Sequence, residues 1–253
     1  MGDPESLHQM RIALTRLRTA LSFFSPMVAD SKRKQVRREL KWLNAQLGAV
    51  RDLDVAIERL KAIDRQQPQA ASNDPYWDAQ LATSHRQLAR VLHSARYRRL
   101  VENTSRWIES GPWSIEMETQ AEKLRGAAIE VYGSTKLARW QEKLLKKSRG
   151  LPGMGPKKRH RLRLTNKKLN YSIGFFEDLL LDRKFSAQKA ALKYLRKAQK
   201  SLGQLNDDAQ GQALAANLKL HAGLAPIQLI DRKREKRLVR AAAAAYRKLA
   251  AQH

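Results

Sequence analysis

Apolar residues recur at intervals of three and four along almost the whole chain, and no convincing run alternates in the manner of a strand. That period predicts an all-helical protein. In the first candidate helix Met10, Ala13, Leu14, Leu17, Ala20, Leu21 and Phe24 share one side, and in the next Val36, Leu40, Leu43 and Leu47 do the same. Breaks are expected at Ser25-Pro26, Leu47-Gly48, the polar stretch Gln66 to Pro75, Gly111-Pro112, Gly150 to Pro156, Leu202-Gly203 and Gly223 to Pro226. They leave roughly eight to ten helices of ordinary globular length.

The pattern also repeats. HQMRIALTRLRTALSFF from His8 lies over HRLRLTNKKLNYSIGFF from His160 at an offset of 152, matching Arg11 to Arg163, Leu17 to Leu169 and Phe23-Phe24 to Phe175-Phe176. LGAVRDLD from Leu47 then lies over LGQLNDDA from Leu202 at an offset of 155, which makes the second hairpin loop three residues longer. A duplicated ancestral half is the simplest account. It divides the single domain of residues 1–253 into a first half, 1–110, and a second, 111–253, each the size of a bundle of four or so helices.

The polar positions are unusual in kind. His8, Arg11, Thr15 and Arg18 form a stripe beside the apolar side of the first helix, about 15 Å long at helical rise. The second copy reads His160, Arg163, Lys167 and Asn170. Lys34, Arg38 and Lys41 lie opposite the apolar side of the second helix, and Lys189, Lys193, Arg196 and Lys200 are spaced four, three and four apart in its counterpart. A solubilising surface intersperses acids among its bases, because like charges at this spacing repel by a few tenths of a kcal/mol. These stripes largely lack acids. His8 and His160 stand close to their helix starts, where backbone N–H groups favour an anion.

Composition turns the stripes into a statement about partners. The 253 residues are 42% hydrophobic, enough for a sizeable core, yet 50 Lys and Arg face 24 Asp and Glu for a formal net charge of +26. Such an excess repels itself and is tolerated most easily against a polyanion or an acidic surface. Nucleic acid, anionic membrane, acidic protein and polymeric phosphate all fit. The absence of cysteine excludes disulfides and thiolate metal sites. No apolar run reaches the length of a membrane span and no signal peptide is evident, so the expected location is cytoplasmic. The basic pattern begins within a few residues of Met1, which leaves room for an upstream segment.

HQMRIALTRLR, ELKWLNAQLGAVRDLDV, HRLRLTNKKLNY and SLGQLNDDAQ together resemble the CHAD family, the conserved histidine alpha-helical domain, over nearly the whole chain. The resemblance implies two pseudo-symmetric four-helix bundles whose basic helices line a shared cavity that binds inorganic polyphosphate. It also implies an association with polyphosphate granules. Its first-helix pattern of histidine, arginine three on, a basic pair and a further arginine is met by His8, Arg11, Arg16 and Arg18, with Thr15 departing. In the second copy His160, Arg163, Lys167 and Lys168 match, and Asn170 departs. Arg16 and Lys168 project away from the main stripes by helical phase. No triphosphate tunnel domain, a frequent neighbour in that family, is present in the chain.

Polyphosphate offers no bases to read, so arginine forks and mobile lysines suffice to hold it. Single-stranded nucleic acid calls instead for exposed aromatic shelves. Phe23, Phe24, Phe175, Phe176, Trp107 and Trp140 read as packing residues. A nucleic-acid-binding basic module is the alternative, supported by charge alone and by no reading-head motif; nucleic acid is expected only as a non-specific competitor. An enzyme is not expected: Asp52, Asp54, Asp207 and Asp208 could hold a divalent cation, but Asp52 and Asp207 read better as caps after Leu-Gly turns or as orienters of neighbouring bases. No cofactor is expected. His8, His85, His93, His160, His221 and His253 lack metal-ligand spacing apart from the eight-residue gap between His85 and His93. Membrane insertion is not expected either, because the apolar sides are needed for bundle cores. Whether Arg86, Arg90, Lys233, Arg237 and Arg240 of later helices join the site is left open.

Overall fold

A computed structural model describes residues 4–64, 74–115, 120–179, 186–221 and 231–252. Among them every regular element is helical. The chain divides into two compact units, residues 1–125 with 213–227 and residues 126–212 with 228–253.

The first unit holds α1 (Pro4–Phe23), α2 (Arg33–Asp64), α3 (Asp74–Leu92), α4 (Ala95–Ser110) and the short α5 (Gln120–Arg125). Its core sets Leu7, Leu14 and Leu21 of α1 against Val36, Leu40, Leu43, Leu47 and Val50 of α2, closed by Leu88, Leu100 and Trp107. The apolar side read for α2 is thus the buried one. On α1, Met10 and Leu17 pack only partly against the core, Phe24 is half-exposed, and Phe23 is fully buried. Phe23 takes Phe24's place because the helix ends at that residue and the two rings meet edge to face at 5.0 Å. The Ser25-Pro26 break is real. After it Asp30 opens α2 by accepting the Arg33 N–H at 2.7 Å, while the Arg33 guanidinium donates back to the Ser25 carbonyl at 2.7 Å. Only His93 and Ser94 separate α3 from α4; the Ser94 hydroxyl accepts from the Tyr97 N–H and supplies the cap.

The second unit holds α6 (Ile129–Ser148), α7 (Pro156–Gly174), α8 (Ser186–His221) as far as Gln212, and α9 (Arg232–Ala250). Leu137 and Leu144 of α6, Leu162, Leu169 and Ile173 of α7, Leu195 and Leu202 of α8, and Ala242 and Leu249 of α9 are buried. One polar residue joins three of these helices. Asn166 of α7, fully buried, donates to the Leu195 carbonyl of α8 at 3.0 Å and accepts from the Tyr246 hydroxyl of α9 at 3.1 Å. Burial pushes the Tyr246 hydroxyl far above its ordinary range, so it stays a neutral donor. The breaks at Gly111-Pro112 and Gly150 to Pro156 fall where the pattern puts them, with Pro156 opening α7.

Two expected breaks do not exist. Leu47-Gly48 lies inside α2 and Leu202-Gly203 inside α8, both of which run on without interruption. Interior glycine costs a helix only about 1 kcal/mol against alanine, too little to end one that buries an apolar residue every turn on both sides of it. Asp52 and Asp207 are therefore interior helical residues and cap nothing. Of the polar stretch Gln66 to Pro75, residues 66–73 lie outside the described residues, while Asp74 and Pro75 begin α3; Gly223 to Pro226, His253 and the side chain of His221 also lie outside them.

Candidate functional site

In the first unit the stripe on α1 meets one flank of α2. Arg11 is half-buried and lies across α2 at Gly48: its Nη1 donates to the carbonyls of Leu47 and Gly48 at 3.1 and 3.0 Å and stands 3.7 Å from the Asp52 carboxylate. A Cβ on Gly48 would come within 3.8 Å of that nitrogen. The glycine thus marks a crossing, where a guanidinium seats on a helix backbone. Its carbonyls already serve the α2 ladder, so Arg11 ties the hairpin while part of its fork stays at the surface.

Two turns further along, Arg18 is half-buried, and both its burial and the nearby Arg37 guanidinium of α2 hold its pKa below the ordinary arginine value. Among the described residues neither guanidinium has a carboxylate partner. Between Arg11 and Arg18 the stripe is neutral, because the Thr15 hydroxyl donates back to the Arg11 carbonyl at 2.8 Å. His8 and Arg16 are exposed, as are Lys34, Arg38 and Lys41 on the outer side of α2. Arg38 stands 3.7 Å from Glu39.

The second unit presents a related set. His160 donates from Nδ1 to the Asn206 side-chain oxygen on α8. The orientation of that amide is fixed, since its Nδ2 donates to Gln210 at 2.8 Å. With Nδ1 committed, the Nε2 edge is what remains for a ligand, and it donates only when the ring is protonated. Arg163 is half-buried beside Gly203, whose Cβ would lie 4.0 Å from its Nε. Lys167 stands 5.5 Å over the Tyr171 ring. Lys168 is exposed, as are Lys189, Lys193, Arg196 and Lys200 of α8, between buried Ala191, Leu195 and Ala198. His8 and His160 are each the fifth residue of their helix, one turn past the free N–H groups at its start.

Two cations were missed by the sequence reading. Arg37 faces Arg18, yet it falls between the outward Lys34-Arg38-Lys41 set and the apolar side, where a helical-phase argument gives no weight to a single residue. Lys136 of α6 is half-buried over the Tyr132 ring at 5.5 Å, and burial with the neighbouring Arg139 lowers its pKa. Lys136, Arg139, Lys143 and Lys146 do stand at three- and four-residue spacing, a signal present in the sequence.

The acids that could have bound a cation are engaged with bases or, for Asp207, with an amide. Asp54 accepts from His85 at 2.8 Å, Asp208 from Arg234 at 3.1 Å, and Asp52 stands by Arg11. Asp207 accepts from Asn206 at 3.4 Å. His85 therefore pairs with an aspartate; His93 is exposed. Among the described residues no group of three or more His, Asp or Glu side chains is placed to hold a metal ion, and no helix is long and apolar enough to cross a membrane.

Residues 1–216 match the family model of the CHAD domain. Among solved structures the chain is similar to the CHAD domain from the plant Ricinus communis: identity is 23%, the TM-score is 0.67, and the match covers 98% of this chain and 81% of that one. That likeness bears on the fold. No curated protein matches.

Proposed function

The chain belongs to the CHAD domain family, and from that premise we propose that it binds inorganic polyphosphate without catalysing its turnover. Each unit offers its own surface for such a ligand: the α1–α2 flank of the first, with Arg11, Arg18 and Arg37, and the α7–α8 surface of the second, with His160, Arg163, Lys167 and the exposed lysines of α8. The observation that carries this reading is the Arg18–Arg37 pair. Arg18 is half-buried on α1 with the Arg37 guanidinium of α2 near enough to act on it, and among the described residues no carboxylate partners either.

Such a pair destabilises the free fold and is relieved by an anion. A chain of phosphates, with roughly one charge each and oxygens on every side, meets arginine forks at any register. The cytoplasm is the proposed location, polyphosphate granules are proposed as a partner, and nucleic acid acts as a non-specific competitor. Competition between long-chain polyphosphate and duplex DNA at fixed ionic strength tests the reading. Polyphosphate displaces DNA at equal phosphate concentration; equal or tighter binding of DNA defeats the proposal.

A further inference from the structure

A cleft of about 600 Å³ opens between α2 and α4 of the first unit. It is not the α1–α2 flank. Arg37 and Glu39 are neighbours on α2 but point about 160° apart at helical phase, Arg37 toward α1 and Glu39 into this cleft. Val36, Leu100 and Trp107 supply apolar lining, while Lys32, Arg99 and Arg106 bring charge. Arg99 and Arg106 are two turns apart on one side of α4, about 10 Å along its axis. Among the described residues none of these three cations has an acidic partner.

The far end of the cleft is built rigidly. The Trp107 indole donates to Asp30 at 2.7 Å, the same carboxylate that opens α2, and the Trp113 indole donates to the Trp107 carbonyl at 2.8 Å. Gly111 is required there, since a Cβ would come within 2.4 Å of the Trp107 carbonyl and 2.6 Å of the Trp113 ring. At the other end stands the cleft's acid, Glu39. Arg96 grips it with two hydrogen bonds of 2.9 and 3.3 Å and stacks at 3.9 Å over Trp42.

We infer that this cleft is a second anion site, for a small phosphorylated molecule with a flat apolar body, a nucleoside triphosphate in size and chemistry. The volume suits a ligand of that size. The apolar lining sets it apart from a track for bare phosphate, and the cations on α4 span the length of a triphosphate. Glu39 opposes the ligand's charge and occupies Arg96, so it weakens the site in a way that can be relieved.

Calorimetric titration of the whole chain with ATP and, separately, with inorganic tripolyphosphate tests this. One ATP binds per chain, more tightly than tripolyphosphate. Arg99→Ala with Arg106→Ala, both exposed and outside the core, lowers ATP affinity at least tenfold and leaves long-chain polyphosphate affinity within twofold. Glu39→Gln raises ATP affinity several-fold by releasing Arg96. Equal affinity for ATP and tripolyphosphate, or ATP binding unchanged in the double variant, overturns the inference. Neither result touches the polyphosphate reading, which is scored by its own titration.

Discussion

Arg18 and Arg37 show at the level of single residues how binding and stability pull apart. Burial of Arg18, with the Arg37 charge beside it, disfavours the Arg18 cation in the free protein. Arg37→Gln therefore raises the midpoint of thermal unfolding in the absence of ligand and, in the same variant, weakens polyphosphate binding; a residue that only stabilised the fold would move both downward. Glu39 carries a pH dependence of the opposite origin. The hydrogen bonds from Arg96, with the charges of Arg96 and Arg38, hold its pKa below the usual glutamate value against the opposing effect of burial. A carboxylate depressed in the fold contributes stability above its unfolded pKa and loses it as pH falls through the folded value. Acid unfolding followed between pH 6 and 2 thus shows a shallower loss of stability in Glu39→Gln than in the parent chain. The stripes on α1 and α7 were legible because histidine, arginine and lysine at three and four spacing stand out from the apolar period. Arg37 was not, because its role comes from where α1 crosses α2, which no single-helix pattern contains.

Among the elements, the lesson lies in the glycines. Gly48 and Gly203 read as breaks, but each is the place where a helix lets an arginine from its neighbour lie close. The distances distinguish the two meanings. At Gly48 a Cβ would make an ordinary contact with Arg11, so Gly48→Ala is expected to stabilise α2 by about 0.5–1 kcal/mol, measured by denaturant unfolding. Gly48→Leu would push Arg11 off the Leu47 and Gly48 carbonyls and reverse the sign. Gly133 is different. A Cβ there would stand 2.6 Å from the ring of buried Phe176, and Gly133→Ala is expected to cost about 1–3 kcal/mol through overpacking. The apolar period found α2, α7 and the proline-opened breaks; it could not find the two-residue turn at His93-Ser94, which rests on a single serine cap. Asn166 sits in the core of a basic, polar-looking helix for the same reason: its hydrogen bonds go to α8 and α9. Asn166→Leu leaves the buried Tyr246 hydroxyl without its acceptor, at about 1–3 kcal/mol.

For the molecule as a whole, the net charge of +26 and the acid-poor stripes make ionic strength the governing variable. Salt screens the repulsion among exposed cations and so steadies the free protein, while it removes the gain from releasing counterions and so weakens the complex. The most direct test is calorimetric titration with long-chain polyphosphate at several salt concentrations, on the parent chain and on Arg18→Gln with Arg37→Gln. The affinity of the parent falls steeply and linearly on a logarithmic plot. The double variant binds more weakly, with a slope shallower by about 1.4 to 1.8, one phosphate contact for each arginine removed. Absence of binding by the parent chain, or an unchanged slope and affinity in the double variant, would contradict the account.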